Sequence, residues 1–297
     1  MFSLKRVELP RRLASGFAAH VDLQAGGRSL IGTAEPATPH ISLSLGKYHL
    51  RLAETTSDRN DACRLRFRVF NLELGEGLAS SYTTGLDQDG FDWFCDHLIV
   101  EDKSRREIVG TYRMQSGITA ERNLGYYSEQ AFDFAPFAEM RAEVLELGRA
   151  SIDREHRTSE VLTLLWRGIA QYARHYRLRY LIGCSSLNSR DPQEGWSLSR
   201  QLEPLLADPA FRTIPAPTYE LPAEQDGGPG EVRVPRLLKT YIAVGARICG
   251  APAWDRQFGT IDFLTLLDLA QLSPAARNRF MPESEISPPS PEPVFVS

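Results

Sequence analysis

Residues 143–153, EVLELGRASID, constrain the fold of this 297-residue chain more than any other stretch. Leu145, Leu147 and Ile152 ask for an apolar interior, yet Glu146, Arg149 and Asp153 interrupt them, and an unpaired charge moved into such an interior is strongly disfavoured. Two environments can hold the charges: a buried ion pair between Glu146 and Arg149, or the wall of a cleft where both meet a ligand. Simple strand alternation puts Glu146 and Arg149 on opposite faces. Gly148 between them is the residue type that marks a β-bulge, and one extra residue would bring both to one face.

Around this stretch the pattern is that of one α/β layer. KYHLRLA, from residue 47, alternates as a strand, and Ser57 or Asp58 is placed to cap a helix running through Leu65, Val69 and Leu72. HLIVED and EIVGTYRMQ read as two strands of a hairpin joined by the charged turn KSRR. SEVLTLLWRGIAQYARHY repeats Val161, Leu164, Leu165, Ile169 and Tyr172 at helical spacing behind a Ser159 cap, and LRYLIGCSSL follows as a further strand. The order predicts a mixed central sheet flanked by helices. Residues 1–46 show no sustained period and are expected to form a partly disordered extension, 47–280 a single domain with a flexible Pro/Gly-rich loop at 215–235, and 281–297 a disordered tail.

Bulk properties narrow the function. A net charge of −4 and a pI near 5.9 give no global attraction for nucleic acid. No apolar run approaches a membrane span or a signal peptide, so a cytoplasmic location is expected, with contact to a membrane surface left open. Cys63, Cys95, Cys184 and Cys249 are widely spaced, which favours reduced thiols over disulfides or zinc. The aspartates of LDQDGFDWFCDH do not follow a calcium-loop pattern, so no metal is expected. Cys95 with His97, or Cys184 alone, has no visible partner arrangement for nucleophilic catalysis.

The succession LRFRVF, LDQDGFDWFCDHLIV, IVGTYRM, ELGRASI and LLWRGIAQYA resembles the GNAT-type N-acyltransferases related to ornithine acyl-ACP N-acyltransferase, sometimes labelled hemolysin-like. It is also similar to the acyl-homoserine-lactone synthases. The resemblance spans roughly residues 47–280 in order, and PRLLKTYIAVGARICGAPAWDRQFGTIDFLTLLDLAQL points to the ornithine-lipid branch. It implies the GNAT (acyl-CoA N-acyltransferase-like) fold, in which two neighbouring strands splay into a V that receives a pantetheine thioester. The implied reaction moves a long, 3-hydroxylated or plain acyl chain from acyl carrier protein to the α-amine of ornithine or a similar amino acid. No tightly bound cofactor is implied, only the acyl-phosphopantetheine thioester as co-substrate. Synthesis of an acyl-homoserine lactone or another N-acyl amino acid is the near alternative, and a non-catalytic acyl-carrier or lipid-binding module the distant one.

That chemistry needs a base for the amine, and Glu146, whose pKa an apolar strand would raise, is the candidate, with Arg149 beside it. The amino-acid carboxylate needs a planar cation, for which Arg66, Arg68, Arg113 and Arg149 are available. By resemblance to the lactone synthases, Asp87, Asp89 and Asp92 form a wall of the amine pocket. The loop DREHRTSE carries no glycine where most acetyl-CoA users have them, which favours a carrier protein over CoA as donor. Arg154, Arg157, Thr158, Ser159, Arg174 and Arg177 are the expected contacts of the carrier protein and its pantetheine.

Overall fold

The computed structural model describes residues 38–225 and 230–282. The expected extension, up to residue 37, and the expected tail, from residue 283, lie outside the described residues, as do positions 226–229 of the 215–235 loop. The first described element falls inside the stretch expected to be an extension: β1 (Ser42–Leu45) pairs antiparallel with β2 (Tyr48–Leu52) across a turn at Gly46, whose φ of +58° suits a residue without Cβ. Helix α1 (Thr56–Phe67) is capped by Thr55 rather than Ser57 or Asp58. The Thr55 hydroxyl accepts from the Asp58 amide and the Asp58 carboxylate accepts from the Thr55 amide, both at 3.1 Å. The helix continues as a π-helical turn, Arg68–Leu74, a rare widening that rotates Val69, Phe70 and Leu74 toward the cleft described below.

After the short α2 (Ser81–Thr84) come the hairpin β3 (Asp96–Asp102) and β4 (Glu107–Ser116), then α3 (Gly117–Arg122) and β5 (Val144–Ile152), which holds the opening stretch. Helix α4 (Ser159–His175) follows. Its cap is Thr158, one residue before the expected Ser159, because Thr158 has the extended backbone that lets a hydroxyl reach the Val161 amide. The chain then forms β6 (Tyr180–Leu187), α5 (Pro192–Leu202), α6 (Arg236–Val244), β7 (Arg247–Ile248), β8 (Ala253–Asp255), β9 (Thr260–Asp268) and α7 (Pro274–Phe280).

These strands form one sheet in the order β1-β2-β3-β4-β5-β6-β9-β7, with β8 pairing the first residues of β9 on the same edge as β7, away from β6. Every pair is antiparallel except β5 and β6, and that parallel pair lasts only from Val144–Tyr180 to Glu146–Ile182. Beyond it the strands diverge while β6 stays fully paired with β9. Gly183 sits at the fork. A Cβ there would lie 2.3 Å from the Leu147 carbonyl oxygen, so only glycine lets the two strands touch before they part. The cluster containing Leu50, Leu98, Leu145, Leu165 and Ile169 packs α4 against one sheet face. Phe132, Phe134, Phe137, Ile182 and Leu264 fill the other.

Candidate active site

Where β5 and β6 part, a cavity of about 680 Å³ opens. Leu147, Leu162, Leu187, Leu238 and Tyr241 give it an apolar side, and Arg113, Tyr127, Ser128, Glu146 and Arg149 a polar one. Glu146 is 5% exposed. Its two carboxylate oxygens accept from the Tyr127 amide at 2.8 Å and the Ser128 amide at 2.7 Å. Burial pushes its pKa up, and those amides and Arg113 offset only part of the rise.

The bulge expected at Gly148 lies one residue further on. Thr111 pairs with Ser151 and Arg113 with Gly148, so Arg149 and Ala150 together oppose Tyr112. Arg149 itself takes the left-handed conformation, φ +52°, which costs a residue with a Cβ roughly 1–2 kcal/mol. Its guanidinium offsets that cost. It lies 2.9 Å from Asp89 and 3.3 Å from Asp87, and stacks between the rings of Tyr127 and Phe258 at 4.6 and 4.3 Å. The ion pair between Glu146 and Arg149 is therefore absent: among the described residues Arg149 bonds aspartates and Glu146 bonds backbone amides.

Asp87, Asp89 and Asp92 do not form a wall of the cavity; they hold its arginines from behind. Arg66 is fully buried and donates to Asp87 at 2.8 Å and to both oxygens of Asp92 at 2.7 and 2.9 Å. Arg113 donates to Asp89 at 2.7 Å and reaches Asp92 at 3.3 Å. With Arg149 this is three cations against three anions, so the cluster is neutral and the aspartates are spent. Burial alone would raise the Asp92 pKa, but Arg66 and then Arg113 overcome it and hold the carboxyl far below its usual range. Arg66 is thus closed off from any substrate, and Arg68 is exposed beside Asp153 at 3.8 Å, outside the cavity lining. Of the expected carboxylate-binding arginines, Arg113 and Arg149 remain on the wall. The Arg113 Nη2 is buried without a hydrogen-bond partner.

At the mouth, Arg157 and Thr158 line the cavity, with Arg157 held by both oxygens of Glu73 at 2.7 Å. Arg154 and Ser159 are exposed beside them. Arg174 and Arg177 are not part of this mouth: they stand at the other end of the 17-residue α4, about 25 Å away at 1.5 Å per residue. Arg233 and Arg236, from the loop before α6 and its first turn, line the mouth instead.

Several wall residues were not foreseen. Tyr127 and Ser128 lie in an aperiodic loop with no sequence signal. Asp262, in the run TIDFLTLL, carries the same signal that singles out Glu146, a charge inside an apolar strand. It is 5% exposed, and burial, with Asp255 nearby, pushes its pKa up to about 6 despite a hydrogen bond from Ser186. Glu76 at the same wall is pushed up to about 7 by burial and by Asp262. Cys184 also lines the cavity, but burial pushes its thiol well above the usual range and it donates to the Ser128 hydroxyl at 3.4 Å. Cys95 donates to Gln115 at 3.1 Å and is pushed up to about 12, while burial and Arg66 hold His97 down to about 4.

A sheet split at one parallel pair, a cavity in the split and a buried carboxylate on its wall define a GNAT-fold acyltransferase. Residues 65–167 match the family described as the acetyltransferase (GNAT) domain. The L-ornithine N(alpha)-acyltransferase of Agrobacterium fabrum is 32% identical over 246 residues, covering 77% of this chain and 83% of that protein. The L-ornithine N(alpha)-acyltransferase of Brucella abortus is 31% identical over 245 residues, covering 77% and 87%. The solved structure of FeeM, an N-acyl amino acid synthase from uncultured soil microbes, is 12% identical and has a TM-score of 0.48 over 79% of this chain and 96% of that one. The chain belongs to the family of the L-ornithine N(alpha)-acyltransferases. Among its described residues no helix is long and apolar enough to cross a membrane.

Proposed function

We propose that this enzyme transfers a long-chain acyl group, plain or 3-hydroxylated, from the phosphopantetheine thioester of an acyl carrier protein to the α-amine of ornithine, yielding a lyso-aminolipid. The observation that carries the reading is the fork between β5 and β6, whose cavity is apolar on one side and charged on the other. A thioester lying in the fork replaces the missing strand pairing with its own amides, and its chain runs along Leu147, Leu162, Leu187 and Leu238. Arg157, Arg233 and Arg236 at the mouth suit a phosphate and an acidic carrier, and the absence of glycine from residues 153–159 favours a carrier over CoA.

On the charged side the buried Nη2 of Arg113 is the free donor for the amino-acid carboxylate. Glu146, its pKa raised by burial, takes a proton from the α-ammonium. The amine nitrogen then attacks the thioester carbon, backbone N–H groups on the open edge of β5 face the oxyanion, and the C–S bond breaks. The second amine proton leaves with the thiolate as thiol, and the proton on Glu146 returns to solvent.

The test supplies the purified protein with acyl carrier proteins of graded chain length, with and without a 3-hydroxyl, or with the matching acyl-CoAs, together with ornithine. N-acylornithine by mass spectrometry, formed faster from the carrier protein, is the expected result. No acylated product from ornithine or any other amino acid would overturn the reading, and equal rates from acyl-CoA would overturn its choice of donor.

A further inference from the structure

The aspartates that sequence similarity placed around the amine are neutralised, yet the cavity has carboxylates of its own. Asp262 on β9, Asp255 on β8 and Glu76 after the π-helical turn all line it, and none forms an ion pair among the described residues. Asp255 and Asp262 share a face of the β8–β9 ladder, where Ala253 opposes Asp262 and Asp255 opposes Thr260. Arg149, the cation whose charge reaches Asp262, is already bound by Asp87 and Asp89. Asp255 has structural work, accepting from the Gln257 and Phe258 amides at 2.9 Å. Asp262 accepts from the Thr260 hydroxyl at 3.1 Å, while Glu76 bonds Phe70 through its backbone amide and its carboxylate has no hydrogen-bond donor among the described residues. Uncompensated carboxylates buried at this depth are costly unless a cation joins them.

Four buried side-chain atoms on the same lining lack a hydrogen-bond partner: besides the Arg149 Nε and the Ser151 hydroxyl, two bear on a ligand. The Nη2 of Arg113, a residue 3% exposed, and the hydroxyl of Ser185, a residue 2% exposed, have no hydrogen-bond partner. One cavity therefore offers an unfilled donor for an anion and an unfilled set of acceptors for a cation. A metal does not fit the acceptors, since no three His, Cys, Asp or Glu side chains among the described residues could hold one. An alkylammonium, which carries three donors on a flexible stem, does.

We propose that Asp262, assisted by Asp255 and Glu76, binds the side-chain ammonium of a diamino-acid acceptor and so selects it over neutral amino acids. This rests on the acyl-transfer reading above. The site orients the substrate by its two ends, with the carboxylate on Arg113 and the distal ammonium on Asp262, which leaves the α-amine facing Glu146.

The experiment compares ornithine with norvaline, the same carbon skeleton without the distal amine, as acceptors under the donor that supports turnover. The wild type favours ornithine in kcat/KM by about 100-fold or more, the discrimination expected when a buried site must pair a charge. Asp262→Asn lowers the ornithine-to-norvaline ratio by about 10- to 100-fold, mainly through the KM for ornithine, as loss of a charge-assisted hydrogen bond predicts. Glu76→Gln, at a half-buried position where folding is not at risk, lowers the same ratio in the same direction. An unchanged ratio in folded Asp262→Asn and Glu76→Gln enzymes overturns the proposal. Equal use of norvaline and ornithine by the wild type overturns it as well, while leaving α-amine acylation intact. Acylation of neither acceptor overturns the acyl-transfer reading and the proposal with it.

Discussion

Replacing Glu146 with Gln separates a base from a structural anchor, and the structure sets the size of both effects. The wild-type carboxylate accepts from two backbone amides, at 2.8 and 2.7 Å. A Gln amide can accept from only one; its NH₂ faces the other N–H, and a charge-assisted bond worth about 1.5–3 kcal/mol is lost. Part of this is recovered, because burial already disfavours the charged form and the neutral amide escapes that penalty. The net cost is about 1–2 kcal/mol, or a fall in Tm of about 2–8 °C for a domain of this size. A buried Glu–Arg pair would have cost about 3–5 kcal/mol when broken, but Arg149 keeps both of its aspartates in the variant. The rate should fall by about 10²- to 10⁴-fold, the usual value of a positioned base. The sign of the pH dependence then decides. In the wild type Glu146 must be deprotonated, so activity rises as pH climbs through its raised pKa; the variant depends on free amine in solution, so its deficit narrows toward alkaline pH. Thermal unfolding and kcat/KM across pH are measured on the same preparation. A constant deficit at all pH values, or near-normal turnover, would refute the base assignment, and a loss above about 4 kcal/mol would refute the energetics.

Three further outcomes are expected. Asp92→Asn should destabilise the fold by about 3–5 kcal/mol in urea denaturation, because Arg66 keeps at most one bond of its fork and loses the charge that balances it in a site without solvent. N-ethylmaleimide should leave turnover within about twofold, since burial raises all four thiols, Cys63 to about 11, Cys95 and Cys249 to about 12 and Cys184 well above its usual range. His97, whose pKa burial and Arg66 lower from 6.5 to about 4, is neutral in the fold while the unfolded chain gains a proton, so stability is lost as pH falls from about 6.5 to 4 and the loss levels off near 3 kcal/mol. Asp262 works in the opposite direction over part of that window, so the effect is read as the difference between wild type and His97→Gln.

The strands and helices that hold the site were legible in the sequence because each carries its own period. Val161, Leu164, Leu165 and Ile169 mark α4, and the charged turn between HLIVED and EIVGTYRMQ marks the β3–β4 hairpin. Side-chain partners were not legible, because the choice among them is made in three dimensions. Arg66 and Arg113 both sit in plausible substrate-binding motifs, but only packing shows that Arg66 faces two aspartates in a sealed interior and Arg113 keeps one nitrogen unsatisfied. Asp262 stands more than a hundred residues from Glu146, and its membership in the same cavity follows from β9 joining β6 out of sequence order. The bulge lies one residue past Gly148 for a simple reason. Glycine is the usual left-handed residue, and here Arg149 takes that conformation because its guanidinium contacts offset the strain.

That displaced bulge lets a single strand line both the apolar and the charged side of the cavity. Leu147 belongs to the core packed on α4 and to the apolar side of the cavity, while Glu146, one residue earlier, points to the charged side. Continued alternation would send Arg149 to the side of Leu147, where its charge would meet the apolar core. The extra residue at Arg149–Ala150 reverses the parity, as a one-residue slip does in any strand, and returns the guanidinium to the face of Glu146 and to Asp87 and Asp89. The charges in ELGRASI thus cost the fold little. One is tied to loop amides, the other to an arginine–aspartate cluster of no net charge, so the cleft wall is polar at Glu146 and Arg149 and apolar at Leu147, the division on which the proposed transfer from a thioester to an amine relies.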